Sequence, residues 1–321
     1  MKALVTGAAG FIGSHVAEHL LLAGHQVVAV DGFIPSYDED LKRANLDVVA
    51  GFDGCEFVEA DLMVADLADL LTGIDVVFHL AGHAGVRSSW ADGFDSYVTN
   101  NIRVTQRLLE ASRGRSLQRF VLASSSSVYG NSGLYPSSEN DAPAPHSPYG
   151  VTKLAAEHLA VLYARNWAVP TVSLRYFTVY GPRQRPDMAM HRIIESCLGG
   201  DEFHVFGDGE QIRDFTFVGD VVEATVQAAT VEVPPGTVVN VAGGSAVTLE
   251  SVIAMVEQIV GRSLSITYDP DQPGDVRRTG GDTGAIRALL GWQPRVDLRS
   301  GLEAQVLWHA EDEQNRLAGV P

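Results

Sequence analysis

The chain begins with an apolar run, a glycine-rich turn and a helical pattern, and this order constrains its fold more than any other feature. Residues Lys2 to Val5 form the apolar run, the sequence TGAAGFIG follows, and apolar residues then recur at helical spacing over 12–21. In such a unit Gly7 permits the tight turn, Gly10 lets a pyrophosphate approach the backbone, and Gly13 lets helix and strand pack closely. The opening therefore predicts a nucleotide-binding strand–turn–helix unit.

Further apolar runs of strand length are separated by segments with helical patterning. They cover residues 25–30, 55–60, 75–80, 119–123, 171–174 and 238–241. Strands that alternate with helices favour a parallel sheet with helices on both of its faces. We therefore expect an α/β fold.

The second predicted strand ends in Asp31. This position is close to the interval at which an acidic residue receives the adenosine ribose hydroxyls of a dinucleotide. Because a carboxylate repels a 2′-phosphate at that place, Asp31 favours NAD over NADP. A solvated acid at the end of a strand is the alternative interpretation.

Composition narrows the class of partner. The formal net charge is −17, from 23 basic and 40 acidic residues, which argues against sequence-independent binding of nucleic acid or anionic lipid. Cys55 and Cys197 lack metal-ligand spacing, so we expect free thiols in a reducing compartment and no metal. Because no apolar run reaches membrane-spanning length and no leader pattern precedes the first strand, we expect a cytoplasmic protein without a membrane partner.

A second chemical feature lies between residues 123 and 153. Tyr149 and Lys153 are four positions apart, so in a helix their side chains lie on one face. A nearby ammonium favours a phenolate and lowers the pKa of tyrosine from its usual value of about 10. The Ser125 hydroxyl can share the proton of a substrate and complete a relay. Tyrosine and lysine at this spacing are common, so the rest of the chain has to decide.

The sequences SSSSVYG at 124–130 and YGVTK at 149–153 resemble the extended branch of the short-chain dehydrogenase/reductase superfamily, which acts on nucleotide-linked sugars. The three-residue spacing of the glycines is also the form found in that branch. The resemblance implies a doubly wound, mostly parallel Rossmann sheet of seven strands that holds NAD. It also implies a smaller mixed α/β C-terminal substrate domain. We expect the boundary between residues 1–175 and 176–321, with a strand near 237–243 returning to the first sheet.

The same resemblance assigns the catalytic roles to Ser125, Tyr149 and Lys153, and the contacts to NAD to a larger set. Asp61 and Leu62 match the contact to adenine, Leu80, Ala81 and Gly82 pass under the ribose and phosphates, and Tyr176 lies beside the nicotinamide. Asn101 is either structural or in contact with the cofactor. The full set is Gly7, Gly10, Phe11, Ile12, Gly13, Asp31, Asp61, Leu62, Leu80, Ala81, Gly82, Asn101, Tyr149, Lys153 and Tyr176.

Within the branch, three separated segments resemble hexuronate-nucleotide 4-epimerases. They are SYDEDLKRANL at 36–46, AGVR at 84–87, and RPDMA at 185–189, the last preceded by Thr178 where galactose-type epimerases usually carry Asn. Gly32, His83 and Ser88 depart from the usual residues of these enzymes. His83 therefore carries no role taken from the family.

The resemblance also implies a set of substrate contacts. Arg213 contacts the pyrophosphate, Gln211 with the strand containing Val205 and Phe206 contacts the nucleoside, and Arg185 suits a carboxylate or a pyrophosphate. Asp275 either holds the nucleoside ribose or orders Arg213, and Arg192 is a weaker candidate for the same anion. The full set is Arg87, Ser125, Ser126, Ser127, Tyr149, Thr178, Arg185, Arg192, Val205, Phe206, Gln211, Arg213 and Asp275.

Ser126 and Ser127 discriminate between reactions, because related 4,6-dehydratases and uronate decarboxylases carry acidic residues in this window. Serines cannot supply that acid, but they can donate hydrogen bonds to a carboxylate. The sequence therefore predicts NAD-dependent 4-epimerisation of UDP-glucuronate to UDP-galacturonate through a 4-keto sugar. A 4-epimerase of neutral UDP-glucose or UDP-N-acetylglucosamine is the alternative, and a non-catalytic NAD-sensing module is disfavoured by the intact Ser125, Tyr149 and Lys153.

The apolar faces of two predicted helices bear on oligomeric state. Ile102, Leu108 and Leu109 lie on one, and Leu154, Leu159 and Leu162 lie on the other. In relatives such helices pair across a dimer axis, which predicts a homodimer. Ordinary core packing explains the same pattern.

Overall fold

The computed structural model describes residues 1–131 and 133–318, with side chains up to residue 311. The strands are β1 (Lys2–Thr6), β2 (Gln26–Asp31), β3 (Cys55–Glu59), β4 (Val76–His79), β5 (Arg119–Ser125), β6 (Thr171–Tyr176), β7 (Val179–Tyr180), β8 (Glu202–Phe206), β9 (Ile212–Phe217), β10 (Thr237–Val241), β11 (Ser245–Thr248) and β12 (Ser265–Asp269). The helices are α1 (Phe11–Leu22), α2 (Glu39–Ala50), α3 (Leu67–Leu70), α4 (Phe94–Tyr97), α5 (Val104–Ala111), α6 (Pro148–Trp167), α7 (Ala189–Gly199), α8 (Val218–Thr230), α9 (Leu249–Val260), α10 (Gly284–Leu290) and α11 (Leu298–Ala318).

Seven strands form one sheet in the order β10-β6-β5-β4-β1-β2-β3, and every pairing in it is parallel. This arrangement confirms the predicted doubly wound sheet. The strand order reverses between β1 and β4, so the loops after these two strands diverge and leave a crevice at the carboxyl edge. Open α/β sheets bind their ligands at such a switch point.

The sheet buries apolar side chains on both faces because residues alternate along each strand. In β1, Ala3 and Val5 pack on one side with α1 and α8, whereas Leu4 packs on the other with α5 and α6. Continuous burial on two faces explains why these strands are nearly uninterrupted apolar runs in the sequence.

A smaller unit of mixed structure follows β6. It contains the three-stranded sheet β11-β9-β7, the pair β12-β8, and helices α7, α9 and α11 around a separate apolar core. α8 and β10 also follow residue 175 but pack into the first core. The domain boundary at residue 175 stays a prediction. In the described part of the chain, no helix has the length and apolar character needed to cross a membrane.

Candidate active site

The turn after β1 packs so closely against neighbouring backbone that it has no room for side chains at two of its glycines. Gly7 has a φ of 71°, and a Cβ atom on Gly7 would lie 2.8 Å from the Ala81 nitrogen. A Cβ atom on Gly13 would lie 2.0 Å from the Gly7 carbonyl oxygen, so side chains are excluded at both places. α1 begins at Phe11. Its N-cap residue is Gly10, which has no side chain to accept hydrogen bonds from the first amides of the helix. These residues fit the pyrophosphate of a dinucleotide, which binds at a helix N-terminus.

Asp31 ends β2 beside this turn. Its carboxylate accepts hydrogen bonds from the Ala9 nitrogen at 3.1 Å and the Phe33 nitrogen at 2.9 Å. A carboxylate has about four acceptor positions, so capacity remains for two ribose hydroxyls. Asp61 lies exposed beyond β3, where it accepts from the Met63 nitrogen at 2.8 Å.

The predicted acid–base residues come from two neighbouring elements. Ser125 ends β5, and Tyr149 and Lys153 lie in the first two turns of α6, whose N-cap is Ser147. The Ser125 oxygen accepts a hydrogen bond from the Ser127 nitrogen at 3.1 Å. The Ser125 hydroxyl also forms a hydrogen bond with the Tyr149 side chain, so the end of β5 lies against α6.

Burial dominates the ionisation of these side chains. It raises the pKa of Tyr149, while the Ser125 hydroxyl and the Arg185 guanidinium act in the opposite direction. Burial lowers the pKa of Lys153 to about 8, and the Glu157 carboxylate opposes that change. The expectation that Lys153 lowers the pKa of Tyr149 is therefore wrong for this structure, because desolvation outweighs the neighbouring charges and the opposing charge belongs to Arg185.

Asn101 holds the loop after β4 against α6. Its amide oxygen accepts from the His83 nitrogen at 2.7 Å, and its amide nitrogen donates to the His83 carbonyl at 2.9 Å and the Thr152 hydroxyl at 3.0 Å. Asn101 lies in a π-helical turn, Val98–Arg103, a form that often occurs at functional sites. A Cβ atom on Gly82 would lie 3.7 Å from the Lys153 ammonium, so this loop also borders the site.

The loop after β7 brings Arg185 to the opposite side of the cleft. Its guanidinium forms two hydrogen bonds of 2.9 Å with the Asp187 carboxylate. Burial lowers the pKa of His83, and the Arg185 guanidinium adds to that shift. For Tyr149, whose pKa burial raises, the same guanidinium acts in the opposite direction. Arg185 therefore lies within electrostatic range of the tyrosine and of the loop after β4.

A second cluster of positive charge joins the two parts of the chain. Arg87 bonds to Asp275 at 2.8 Å and stacks on Phe206 with 4.0 Å between the guanidinium carbon and the ring centre. Burial lowers the pKa of Arg213, Asp275 opposes this shift, and Arg87 adds to it. The Gln211 amide donates to the Phe206 carbonyl at 3.3 Å. In a chain with a net charge of −17, this cluster suits a diphosphate.

Comparison with known families identifies the chain. Residues 3–242 match the model of the NAD dependent epimerase/dehydratase family. The chain belongs to this family. The matched range includes the glycine turn, Asp31, Ser125, Tyr149 and Lys153.

Three similar proteins illustrate the likeness. A UDP-glucuronic acid 4-epimerase from Bacillus cereus, solved with UDP-glucuronic acid and NAD, is 44% identical, with a TM-score of 0.94 over 97% of this chain and 99% of its own. MoeE5, solved with UDP-glucose and NAD and also with UDP-glucuronic acid and NAD, is 42% identical, with a TM-score of 0.89 over 98% of this chain and 100% of its own in the first complex. A protein of Bacillus subtilis (strain 168) named an uncharacterized UDP-glucose epimerase, YtcB, is 43% identical over 96% of this chain and 98% of its own.

Four residues that the family resemblance assigned to ligands make side-chain contacts within the protein, and their ligand roles stay predictions. Val205 is 1% exposed in the core of the smaller unit, and Leu62 is 6% exposed in the core beside α5. The Tyr176 hydroxyl bonds to Thr225 of α8 at 2.7 Å. Arg192 stacks over Phe203, 5.5 Å from its ring centre. Their places follow from burial, which a motif does not reveal. Other predicted residues lie at the ends of these elements: Phe11 and Ile12 begin α1, Leu80 and Ala81 follow β4, Ser126 and Ser127 follow β5, and Thr178 follows β6.

Sequence reasoning missed a buried polar network behind Lys153. Glu157 receives two hydrogen bonds from Arg175, at 3.0 and 2.6 Å, and one from Ser124 at 2.9 Å. Arg175 also donates to the Tyr129 hydroxyl at 2.7 Å, and that hydroxyl donates to Asn240 at 2.7 Å. The sequence did contain one signal for this network. Glu157 lies four residues after Lys153, so in a helix the carboxylate and the ammonium share one face that is otherwise apolar.

Proposed function

We propose that this protein is an NAD-dependent isomerase that interconverts UDP-glucuronate and UDP-galacturonate by inversion at carbon 4. The observation that carries the proposal is the match, over nearly the full length of both chains, to the Bacillus cereus enzyme that was solved with UDP-glucuronic acid and NAD. The serines at 126 and 127 support it, because this window holds no acid for dehydration or decarboxylation.

Tyr149 is the proposed base for the 4-hydroxyl, and Ser125 hydrogen-bonds to the same oxygen. When bound, NAD⁺ accepts the carbon-4 hydride and returns it, and the positive charge of its ring favours the phenolate. Lys153 keeps its positive charge below pH of about 8 because that is its pKa in the folded protein. In this charged form its proposed role is to hold the nicotinamide ribose. Inversion requires the 4-keto sugar to turn and present its other face.

The nucleotide must stay anchored while the sugar turns. We propose that Arg213 and Arg87 bind the diphosphate, with Phe206 and Gln211 beside the nucleoside and Asp275 orienting Arg87. Arg87 and Asp275 are paired at 2.8 Å, which supports an orienting role for the carboxylate.

Arg213→Met tests this anchor. Because a hydrogen bond to a charged group contributes about 1.5–3 kcal/mol, we expect KM for the UDP-sugar to rise by at least about tenfold. Steady-state kinetics measures this change. Arg295→Met removes an exposed guanidinium that pairs with Glu223, and it should leave KM unchanged. Equal KM values for both variants would remove Arg213 from the anchor.

The 4-keto intermediate of a uronic acid is a β-keto acid, which can lose carbon dioxide. We propose that Ser126, Ser127 and Thr178 hold the carboxylate away from the alignment that favours cleavage, with Arg185 as a further cationic partner. Ser126 and Ser127 follow β5, Thr178 lies between β6 and β7, and Arg185 lies in the loop after β7.

Ser126→Ala and Thr178→Ala test this carboxylate clamp. Each removes one hydrogen-bond donor to a charged group, so we expect weaker uronate binding by about tenfold, or a rise in UDP-pentose by-product. Chromatography of the nucleotide sugars together with KM measurement separates the two effects. Unchanged kinetics and unchanged by-product in both variants would contradict the clamp.

A 4-epimerase of neutral sugars is the second candidate, because MoeE5 was solved with UDP-glucose as well as UDP-glucuronic acid. Proton NMR of the purified protein with UDP-glucuronate and no added cofactor tests the proposal. We expect the anomeric signal of galacturonate to grow to equilibrium. A faster reaction of UDP-glucose in a parallel sample would favour the neutral-sugar enzyme.

We also propose that the enzyme is a cytoplasmic homodimer. Leu108 and Leu109 are buried in the core of the protomer, so they do not form the dimer surface that their pattern allowed. Val151, Leu162 and Trp167 of α6 are about half exposed, and they are the apolar residues that support an association through this helix. Sedimentation velocity of the wild type and of Leu162→Glu tests the dimer, which the added charge should dissociate.

A further inference from the structure

Two helices of the smaller unit bring three metal-ligating side chains together away from the acid–base residues. His191 and Glu195 lie on α7, and His309 lies on α11. The ligand atoms that the three residues offer all lie within 4.8 Å of one another. The His191 Nε2 atom is 3.1 Å from a Glu195 carboxylate oxygen, and the two imidazole centres are 4.4 Å apart.

We propose that His191, Glu195 and His309 bind a divalent transition-metal ion, and that Zn²⁺ suits this donor set. Two imidazoles and one carboxylate are the three protein ligands of many zinc sites, in which water takes the fourth position. Ca²⁺ and Mg²⁺ prefer sets made only of oxygen. The site lies outside the proposed epimerase chemistry.

The backbone contact of His191 directs its Nε2 atom toward the proposed site. Its Nδ1 atom is 2.8 Å from the Gln184 carbonyl oxygen, and a carbonyl can only accept a hydrogen bond. Nδ1 therefore carries a proton, and Nε2 is the nitrogen left to bind an ion. The Glu195 carboxylate 3.1 Å from Nε2 also only accepts, so a metal that binds Nε2 displaces the proton between that nitrogen and Glu195. A backbone carbonyl behind the outer nitrogen is the usual way in which proteins orient a metal-binding histidine.

Spacing and burial agree with this site. His191 and Glu195 are four residues apart and share one face of α7. Ligand atoms about 2.0–2.2 Å from a tetrahedral ion lie about 3.4 Å from one another, so small side-chain rotations close the observed cluster around an ion. The two histidines are buried, whereas the Glu195 side chain is 45% exposed and leaves a path for the ion and for one water molecule.

A metal in this position joins the terminal helix to the loop that contains Arg185. The Gln184 side-chain oxygen accepts one hydrogen bond from the backbone amide of His191 at 3.0 Å and another from the side-chain amide of Gln305 in α11 at 2.9 Å. The ion therefore adds a coordination bond to a hydrogen-bonded connection that already exists between α7, α11 and this loop. Its role is to stabilise the smaller unit.

The test uses the full chain without an affinity tag, stripped with a chelator and titrated with Zn²⁺ against a chromophoric zinc indicator. We expect one tight site per chain, a higher Tm with zinc, and a tetrahedral Co²⁺ absorption band after cobalt substitution. His309→Gln removes a buried ligand. Glu195→Gln removes a ligand whose side chain is exposed, so this variant should fold without disturbing the core.

Both substitutions should lower zinc affinity by at least about tenfold. His204→Gln is the matched control, because the His204 side chain is 45% exposed and lies 3.0 Å from the Asp269 carboxylate, outside the proposed metal site. It should leave the tight site intact. The proposal is overturned if the wild type binds no tighter than Glu195→Gln, if His204→Gln removes the binding, or if Co²⁺ gives only an octahedral spectrum.

Discussion

Tyr149→Phe should lower kcat for the interconversion of UDP-glucuronate and UDP-galacturonate by about 10²–10⁴-fold, the usual contribution of a positioned acid–base group. KM should change little, because the phenol acts on the reacting oxygen and the nucleotide anchor is separate. The aromatic ring remains, and so does its edge-to-face contact with Tyr97 at 6.1 Å between centres. Steady-state kinetics in both directions measures the split between kcat and KM.

Tyr163→Phe provides the control for this experiment. Tyr163 lies on the same helix, and its hydroxyl bonds to Glu110 at 2.6 Å and to Gln106 at 2.9 Å. The same chemical change there should leave kcat within about twofold, since it removes a hydrogen bond outside the cleft. If Tyr149→Phe kept kcat within tenfold of the wild type, the proposed base would have to be another group.

Glu157→Gln should lower the free energy of unfolding by about 3–5 kcal/mol, because it leaves the Arg175 guanidinium buried without its counter-ion. Both side chains of this pair are only 5% exposed. Urea denaturation with matched m-values measures the loss. Glu303→Gln breaks an exposed pair with Arg299 at 3.6 Å and should cost less than about 1 kcal/mol. The double variant Glu157→Gln with Arg175→Met should recover part of the stability, since no charge then stays unpaired.

The same substitution should change the pH dependence of catalysis. The Glu157 carboxylate raises the pKa of Lys153 against the larger effect of burial, which lowers it to about 8. Removing that carboxylate should lower the Lys153 pKa further. Because the ammonium loses its proton as pH rises through its pKa, the alkaline decline of kcat/KM should begin at lower pH. An unchanged alkaline limb in a folded Glu157→Gln protein would show that Glu157 does not act through Lys153.

The sequence alone was sufficient for the parts of this protein that depend on local geometry. The glycine turn with Gly7 and Gly13, the acid at the end of β2, and the four-residue spacing of Tyr149 and Lys153 follow from backbone periodicity and steric limits. These rules act within a few residues, so the pattern of the chain carries them. The parallel sheet followed in the same way from apolar runs that alternate with helical segments.

Tertiary structure decided which distant groups meet and how they ionise. Arg87 pairs with Asp275 across 188 positions, and Glu157 of α6 pairs with Arg175 of β6. The pKa of Tyr149 is raised by burial although a lysine lies on the same helix face. A periodic pattern specifies the face on which a side chain lies but not what packs against it. Burial, desolvation and ion pairing are properties of that packing, so only the tertiary structure determines them and the pKa values that follow from them.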